Sequence, residues 1–323
     1  MKKELICREK DGFWFYSIFH YQGAALSKEA IIIDEKNTDR FVSYINKEKI
    51  DKIIIDLLNC DLNSLSFLNE IKHVKYLTIW GDGEIDNSPI YELENLLFLE
   101  ILNPSELYLD RVRGLQFFST NKICNVRNID KVMTLKTLKL INPNRDNCDL
   151  NDLSLLNNLK SIEILSLSGY GLYSLKGINH LTNLKVLVLN DLKRLINIDD
   201  LVDLKSSLTS LRIFNCKKIE RFDILSNLEN LQFLSMDKLS PIFNLHFINF
   251  LHKLKTFISS NTQIIDGNLS VLANIETVIV TPIKNGYHMY KQGKKIKFMQ
   301  KETPYNKRHF GDEEIDIWRR ISY

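Results

Sequence analysis

Apolar residues spaced i, i+3, i+5 recur every twenty-odd residues along this chain, and such a pattern cannot close around a single nucleus. A unit of about 22 residues is too short to bury its apolar face alone, so successive units must stack and bury it against one another. The pattern reads Ile50/Ile53/Ile55, Val74/Leu77/Ile79, Leu96/Leu99/Ile101, Leu135/Leu138/Leu140, Ile162/Leu165/Leu167, Leu184/Leu187/Leu189, Leu208/Leu211/Ile213, Leu231/Leu234/Met236, Leu254/Phe257/Ser259 and Ile275/Val278/Val280. A weaker copy is Val112/Leu115/Phe117. The starts lie 24, 22, 16, 23, 27, 22, 24, 23, 23 and 21 residues apart, 22.5 on average.

Residues beside the triplet alternate with it, as a short strand with one buried face requires. The second half of a unit repeats every third residue instead, as in Leu150, Leu153, Leu156 and Leu159 or Leu172, Leu175, Ile178 and Leu181, which suits 3₁₀ turns. On these triplets the chain resembles the leucine-rich-repeat family from about residue 50 to 280, with bacterial-type repeats of about 22 residues. The resemblance implies an α/β leucine-rich-repeat solenoid, a horseshoe with a parallel β-sheet on its concave face, 3₁₀ or helical turns on its convex face, and caps at both ends. It also implies an Asn or Cys eight residues after each start. Only Cys216 fits; Leu58, Leu192 and Leu239 hold equivalent places, and Asn103, Asn142 and Asn215 fall one residue early. The 16- and 27-residue spacings mark Asn103 to Cys148 as an irregular stretch.

Three regions are expected: an N-terminal cap over 1–49, about 11 repeats over 50–280, and a basic C-terminal cap or tail over 281–323. In the first, Leu5 to Arg8 and Phe13 to Phe19 flank Lys10-Asp11-Gly12, a hairpin signal because Asp-Gly tolerates the positive φ of a tight turn. Ile31 to Ile33 reads as a strand, and Asn37 or Thr38 can cap a helix running through Lys47. In the last, Asp312 opens a helix with Arg319 and Arg320 in its final turn, placing Ile315 and Trp318 over the final repeat. From Thr281 onward ten bases face five acids, leaving residues 1–280 at −2 of the net +3.

The charged start and the lack of a long apolar run argue against secretion and membrane spanning. Five widely spaced cysteines, none in C-x-x-C spacing, suggest neither a disulfide framework nor a zinc site, and a reducing cytoplasm is expected.

Residues two, four and six past each start face the concavity: Ile54, Tyr76, Trp80, Phe98, Leu102, Phe118, Ile141, Val186, Val188, Phe214, Phe233 and Ile258, with Lys52, Asp56, Glu100, Lys139, Arg212 and Asp237 among them. Aromatic side chains with scattered Arg supply most interface energy, so Tyr76, Trp80, Phe98, Arg212, Phe214 and Phe233 are the expected partner-binding residues. Catalytic signals are weak. Asp82 to Asn87 lacks the Gly and terminal Glu of a calcium loop, and His246 and His252 have no helical metal spacing. Gly293-Lys294-Lys295 lacks the rest of a phosphate loop. No catalytic residue, metal or cofactor is expected.

The expected function is a non-enzymatic scaffold binding a protein partner through its concave face. The Lys/Asn/Ile-rich wording suggests a low-GC microbial source, in which such proteins can act as immunity or antitoxin partners, secreted effectors or assembly adaptors, with immunity or effector neutralisation favoured. The alternative is a nucleic-acid or acidic-surface binder using the basic C-terminal segment, where Tyr287 to Tyr290 adjoin Lys291 to Lys297.

Overall fold

The computed structural model describes residues 7–16, 29–60, 62–81, 85–143 and 150–281, together with the backbone of two short strands, Tyr290–Lys291 and Lys294–Lys295. These residues fall into two compact units, the first ending at Ile141 and the second beginning at Asn142.

The first unit opens with a hairpin. Cys7–Lys10 pairs antiparallel with Phe13–Tyr16 across Asp11 and Gly12, whose φ values of 54° and 78° are those of the turn an Asp-Gly pair favours. Phe13–Tyr16 pairs antiparallel with Ala30–Ile33, and from there every step is parallel: Lys52–Asp56, Tyr76–Trp80, Phe98–Ile101, Phe117–Thr120 and Thr137–Ile141. The helix Asp39–Glu48 buries Phe41, Val42 and Ile45. Its Thr38 N-cap makes no side-chain bond; Asn37 Oδ1 instead accepts the Asp39 amide at 3.1 Å. Phe13 joins hairpin to helix, its ring 4.4 Å from Tyr44 and 5.1 Å from Phe41, with the Arg40 guanidinium 4.6 Å away.

The second unit is parallel throughout: Ile164–Ser168, Val186–Asn190, Ser210–Phe214, Phe233–Asp237, Thr256–Ser260 and Thr277–Thr281 follow one another in chain order. Pairing is in register, so Leu165, Leu187, Leu211, Leu234 and Phe257 stack in one buried row.

The period-three halves are 3₁₀ turns whose hydrogen bonds run from one core residue to the next. The Leu156 amide donates to Leu153, Leu159 to Leu156 and Ile162 to Leu159, at 2.9–3.1 Å; Ile178, Leu181 and Leu184 form the same chain from Leu175. Each i→i+3 bond therefore links two inward side chains, which is why every third residue is apolar.

Strand and turn meet at a corner seven residues after each start. Gly81, Asn103, Gly169, Asp191, Asn215, Lys238 and Asn261 all stand there with positive φ. In the second unit the corner amide donates to the last strand carbonyl of the next repeat: Gly169 to Asn190, Asp191 to Phe214, Asn215 to Asp237, Lys238 to Ser260 and Asn261 to Thr281, at 2.6–3.0 Å. Of the asparagines that fall one residue short of the family position, Asn103 and Asn215 are thus corner residues, chosen because Asn tolerates the left-handed region, while Asn142 stands at its corner without a positive φ. The family position itself is filled inside the core by Cys216, whose thiol approaches the Leu189 carbonyl at 3.7 Å, and by Thr262, whose hydroxyl donates to Met236 at 3.0 Å and accepts the Leu239 amide at 3.1 Å. Burial pushes the Cys216 thiol up to about 12, so it stays a neutral core group.

Two expectations need correction. In the irregular stretch, Phe118 and not Phe117 points into the core, because Phe118 is in register with Leu99 and Leu138 while Phe117 stands beside Phe98 and Thr137. The true triplet is Leu115/Phe118/Thr120, all fully buried, 19 residues after Leu96 and 20 before Leu135. Its third member is polar, and the Thr120 hydroxyl accepts the Lys122 amide at 3.2 Å. Second, Cys124 is disulfide-bonded, while Cys7, Cys60 and Cys216 stand outside any disulfide. In a stack, residues one repeat apart are neighbours, so separation along the chain does not prevent pairing. The expected C-terminal helix from Asp312 lies outside the described residues.

The corner geometry makes a graded prediction. A Cβ on Gly169 would lie 2.2 Å from the Asn142 carbonyl oxygen, whereas one on Gly114, also at positive φ, would meet nothing within 4 Å. Gly114→Ala should cost about 1 kcal/mol, the left-handed penalty alone, and Gly169→Ala roughly 3 kcal/mol or more, because backbone must also move. Denaturant unfolding of the two variants checks this; equal losses would contradict the packing account.

Candidate functional site

In the first unit the outward side chains form two rows across the strands. Register aligns Lys52, Tyr76, Phe98, Phe117 and Thr137 in one, and Ile32, Ile54, Thr78, Glu100, Ser119 and Lys139 in the other. Along the first, Tyr76 and Phe98 have ring centroids 6.1 Å apart, and Phe98 and Phe117 stack at 4.1 Å with planes 15° apart. In-register pairing produces this aromatic run, since neighbouring strands lie only about 4.8 Å apart. Lys52 Nζ sits 4.8 Å from the Tyr76 ring centroid, and Tyr16 meets Trp80 edge-on at 5.9 Å. Tyr16, Tyr76, Trp80, Phe98, Lys52 and Glu100 are among the walls of a cavity of about 50 Å³. Ala30, Ile32 and Ile54 form a buried apolar cluster beneath Tyr16 and Trp80.

The second row carries a polar line. Ser119 donates to Glu100 at 3.3 Å, with Lys139 on the strand beyond. Burial raises the Glu100 pKa above the usual carboxylate range, against the opposing pull of Lys139 and Ser119. Burial likewise lowers that of Lys139, which Glu100 partly offsets. The cavity reaches Glu100 but neither Ser119 nor Lys139, and Ser119 is fully buried, so the line does not present a nucleophile to a substrate.

In the second unit the Phe214 ring has two cations beside it, the Arg212 guanidinium at 5.8 Å and Lys238 Nζ at 4.9 Å. The neighbouring Asp237 is buried and committed, accepting from the Ser235 hydroxyl and, at 2.7 Å, from the Ser260 amide.

The six expected partner-binding residues thus separate into two groups: Tyr76, Trp80 and Phe98 on the first unit's sheet, Arg212, Phe214 and Phe233 on the second's. Tyr76, Trp80, Arg212 and Phe214 are half-buried, while Phe98 and Phe233 are buried at 6% and 3% exposure, closer to floor than to rim. Sequence reasoning missed Phe117, Tyr16 and Lys238. A start at Leu115 would have revealed Phe117, and the corner position seven past Leu231 contained Lys238. The Asp86 carboxylate accepts the Ser88 amide at 2.9 Å and the Ser88 hydroxyl at 2.5 Å, bonds that hold its pKa below normal, so it is a turn cap. Among the described residues no group of three His, Cys, Asp or Glu could hold a metal, and no helix is long and apolar enough to cross a membrane.

No protein-family model matches the chain, and no curated protein matches it. Solved structures do. TLR13 in its complex with ssRNA13 is 17% identical, with a TM-score of 0.53 over 75% of this chain and 41% of that one. The fold is a leucine-rich-repeat solenoid. Internalin inlF of Listeria monocytogenes is 19% identical, with a TM-score of 0.46 over 81% of this chain and 88% of that one. Internalin C2 of the same organism is also 19% identical, at 0.38 over 68% and 76%. At these identities the likeness concerns the fold, and the chemistry of the leucine-rich-repeat face must come from its own residues.

Glu100 gives a pH test of that face. A folded pKa raised above the unfolded one means stability that is full below the unfolded pKa and lost as pH rises through the folded value. Glu100→Gln should therefore melt above the wild type at pH 8 and level with it at pH 4. A variant less stable at pH 8 would show that the ionised carboxylate is a net stabiliser.

Proposed function

We propose that this leucine-rich-repeat protein is a non-catalytic scaffold that takes a protein partner on its sheet faces. The observation that carries this reading is the aromatic run Tyr76–Phe98–Phe117, with Tyr16 and Trp80 around an adjoining cavity. Rigid aromatics lining a concave site, with a few charges at its margin, are what interface anchors fill. Within this proposal the finer role is immunity-type neutralisation of a toxin or effector. The cellular setting is the cytoplasm, the compartment in which cysteines such as Cys7, Cys60 and Cys216 stay outside disulfides; thiol counting on protein from its own cells tests it, since the Cys124 bond persists only in an oxidising compartment.

The deciding experiment is capture of partners from the native organism with wild type and a Trp80→Ala/Phe214→Ala variant. Both side chains are half-buried on sheet faces, so the variant should keep its circular dichroism and lose its partner at least tenfold, the effect of removing an anchor worth about 2 kcal/mol. A partner retained in full by a folded variant would remove these residues from the site. The basic-tail alternative rests on residues outside those described, from Lys284 to Arg308. It predicts binding that falls steeply with salt and disappears when that segment is deleted.

A further inference from the structure

Lys238 is the residue at odds with its own position. The other positive-φ corners carry Gly, Asn or Asp, which tolerate the left-handed region; Lys238, at φ 52°, has no such excuse. A disfavoured backbone state retained with a long cationic side chain points to that side chain having a task. Its ammonium is held 4.9 Å from the Phe214 ring, in the company of Arg212.

The same edge of the second unit is basic in the two preceding repeats. Lys193 and Lys217 each stand two residues past their corners, Asp191 and Asn215, and Lys218 follows; all three are exposed. Hydrogen bonds tie together the repeats that carry them: Asn215 Nδ2 donates to Asp191 Oδ1 at 2.7 Å, and the Ser240 hydroxyl to the Lys217 carbonyl at 2.5 Å. Among the described residues Lys193, Lys217, Lys218 and Lys238 form no ion pair. The nearest acids along the chain are occupied or buried: Asp191 by Asn215, Asp237 by Ser235 and Ser260. Glu220, beyond Lys218, is exposed, as are Asp223 and Glu229 further along the same repeat.

We infer that this edge, from Lys193 through Lys217, Lys218 and Lys238 to Arg212, binds a run of carboxylates in the protein partner. The inference rests on the protein-binding reading above and names the chemistry of the segment recognised. Main chains of neighbouring repeats lie about 4.8 Å apart where their strands pair, a repeat that alternate or adjacent acidic side chains of an extended peptide can follow. Charge-assisted hydrogen bonds to carboxylates are about twice as strong as neutral ones. The exposed acids close by, Asp199 and Asp223 as well as Glu220, suit a short acidic peptide better than a long polyanion, which they would repel.

The test uses the full chain and fluorescein-labelled hexaglutamate, with hexaserine and a short oligothymidylate for comparison. Lys238→Asn supplies a residue that corners 103, 215 and 261 already carry, so the variant should melt no lower than wild type while binding hexaglutamate about threefold more weakly. Lys217→Ser/Lys218→Ser/Lys238→Asn should weaken it roughly tenfold, with the wild-type affinity falling as salt is added. Hexaserine should not bind. Unchanged hexaglutamate affinity in the triple variant would assign the binding to other bases and overturn the inference, as would oligothymidylate binding tighter than hexaglutamate through the same lysines. If hexaglutamate binding fails while partner capture through Trp80 and Phe214 stands, only the acidic-segment inference falls. If hexaglutamate binding depends on these lysines but no protein is captured, the inference stands and the protein-partner reading falls.

Discussion

The hydrogen bond from each corner amide of the second unit to the last strand carbonyl of the next repeat is the constraint on which that unit depends. It fixes where a strand stops, demands a left-handed residue at the stopping point, and delivers the chain into its 3₁₀ half in register with its neighbour. Each bond is modest, about 1 kcal/mol net. Its importance lies in what slips without it, since a shift of one residue turns every inward leucine outward and every outward aromatic inward.

That register also makes the binding faces. Side chains at equivalent places in successive repeats are brought to neighbouring positions, so Tyr76, Phe98 and Phe117 become a continuous aromatic run although about 20 residues separate each from the next. The same stacking lines up Glu100, Ser119 and Lys139, and on the second unit sets Lys238 beside Phe214. Local sequence chooses the residue types; the repeat length chooses their companions.

The architecture was legible wherever burial demanded apolar side chains, because triplet and period-three turn are both periodic signals. It was obscured at Thr120 and Thr262, where a hydroxyl takes a core position and satisfies itself on backbone partners. Thr120 concealed the true phase, so that Phe118 was expected outward and Phe117 inward. Tyr16 meets Trp80 at the sheet surface, a pairing set by the antiparallel return of the hairpin, which no repeat period encodes. The corner asparagines looked like misplaced family residues because their role is a backbone angle, invisible to side-chain patterning.

The corner bond carries an evolutionary corollary. Within the second unit each repeat presents one donor amide forward and one acceptor carbonyl backward, so a repeat is a module with matching couplings at its two ends. Duplicating or deleting a whole module leaves all surviving couplings matched, whereas inserting a single residue within a strand mismatches its neighbours on both sides. A lineage built this way can lengthen or shorten its binding surface in steps of one repeat, bringing a new pair of outward rows with each step and leaving the older ones undisturbed.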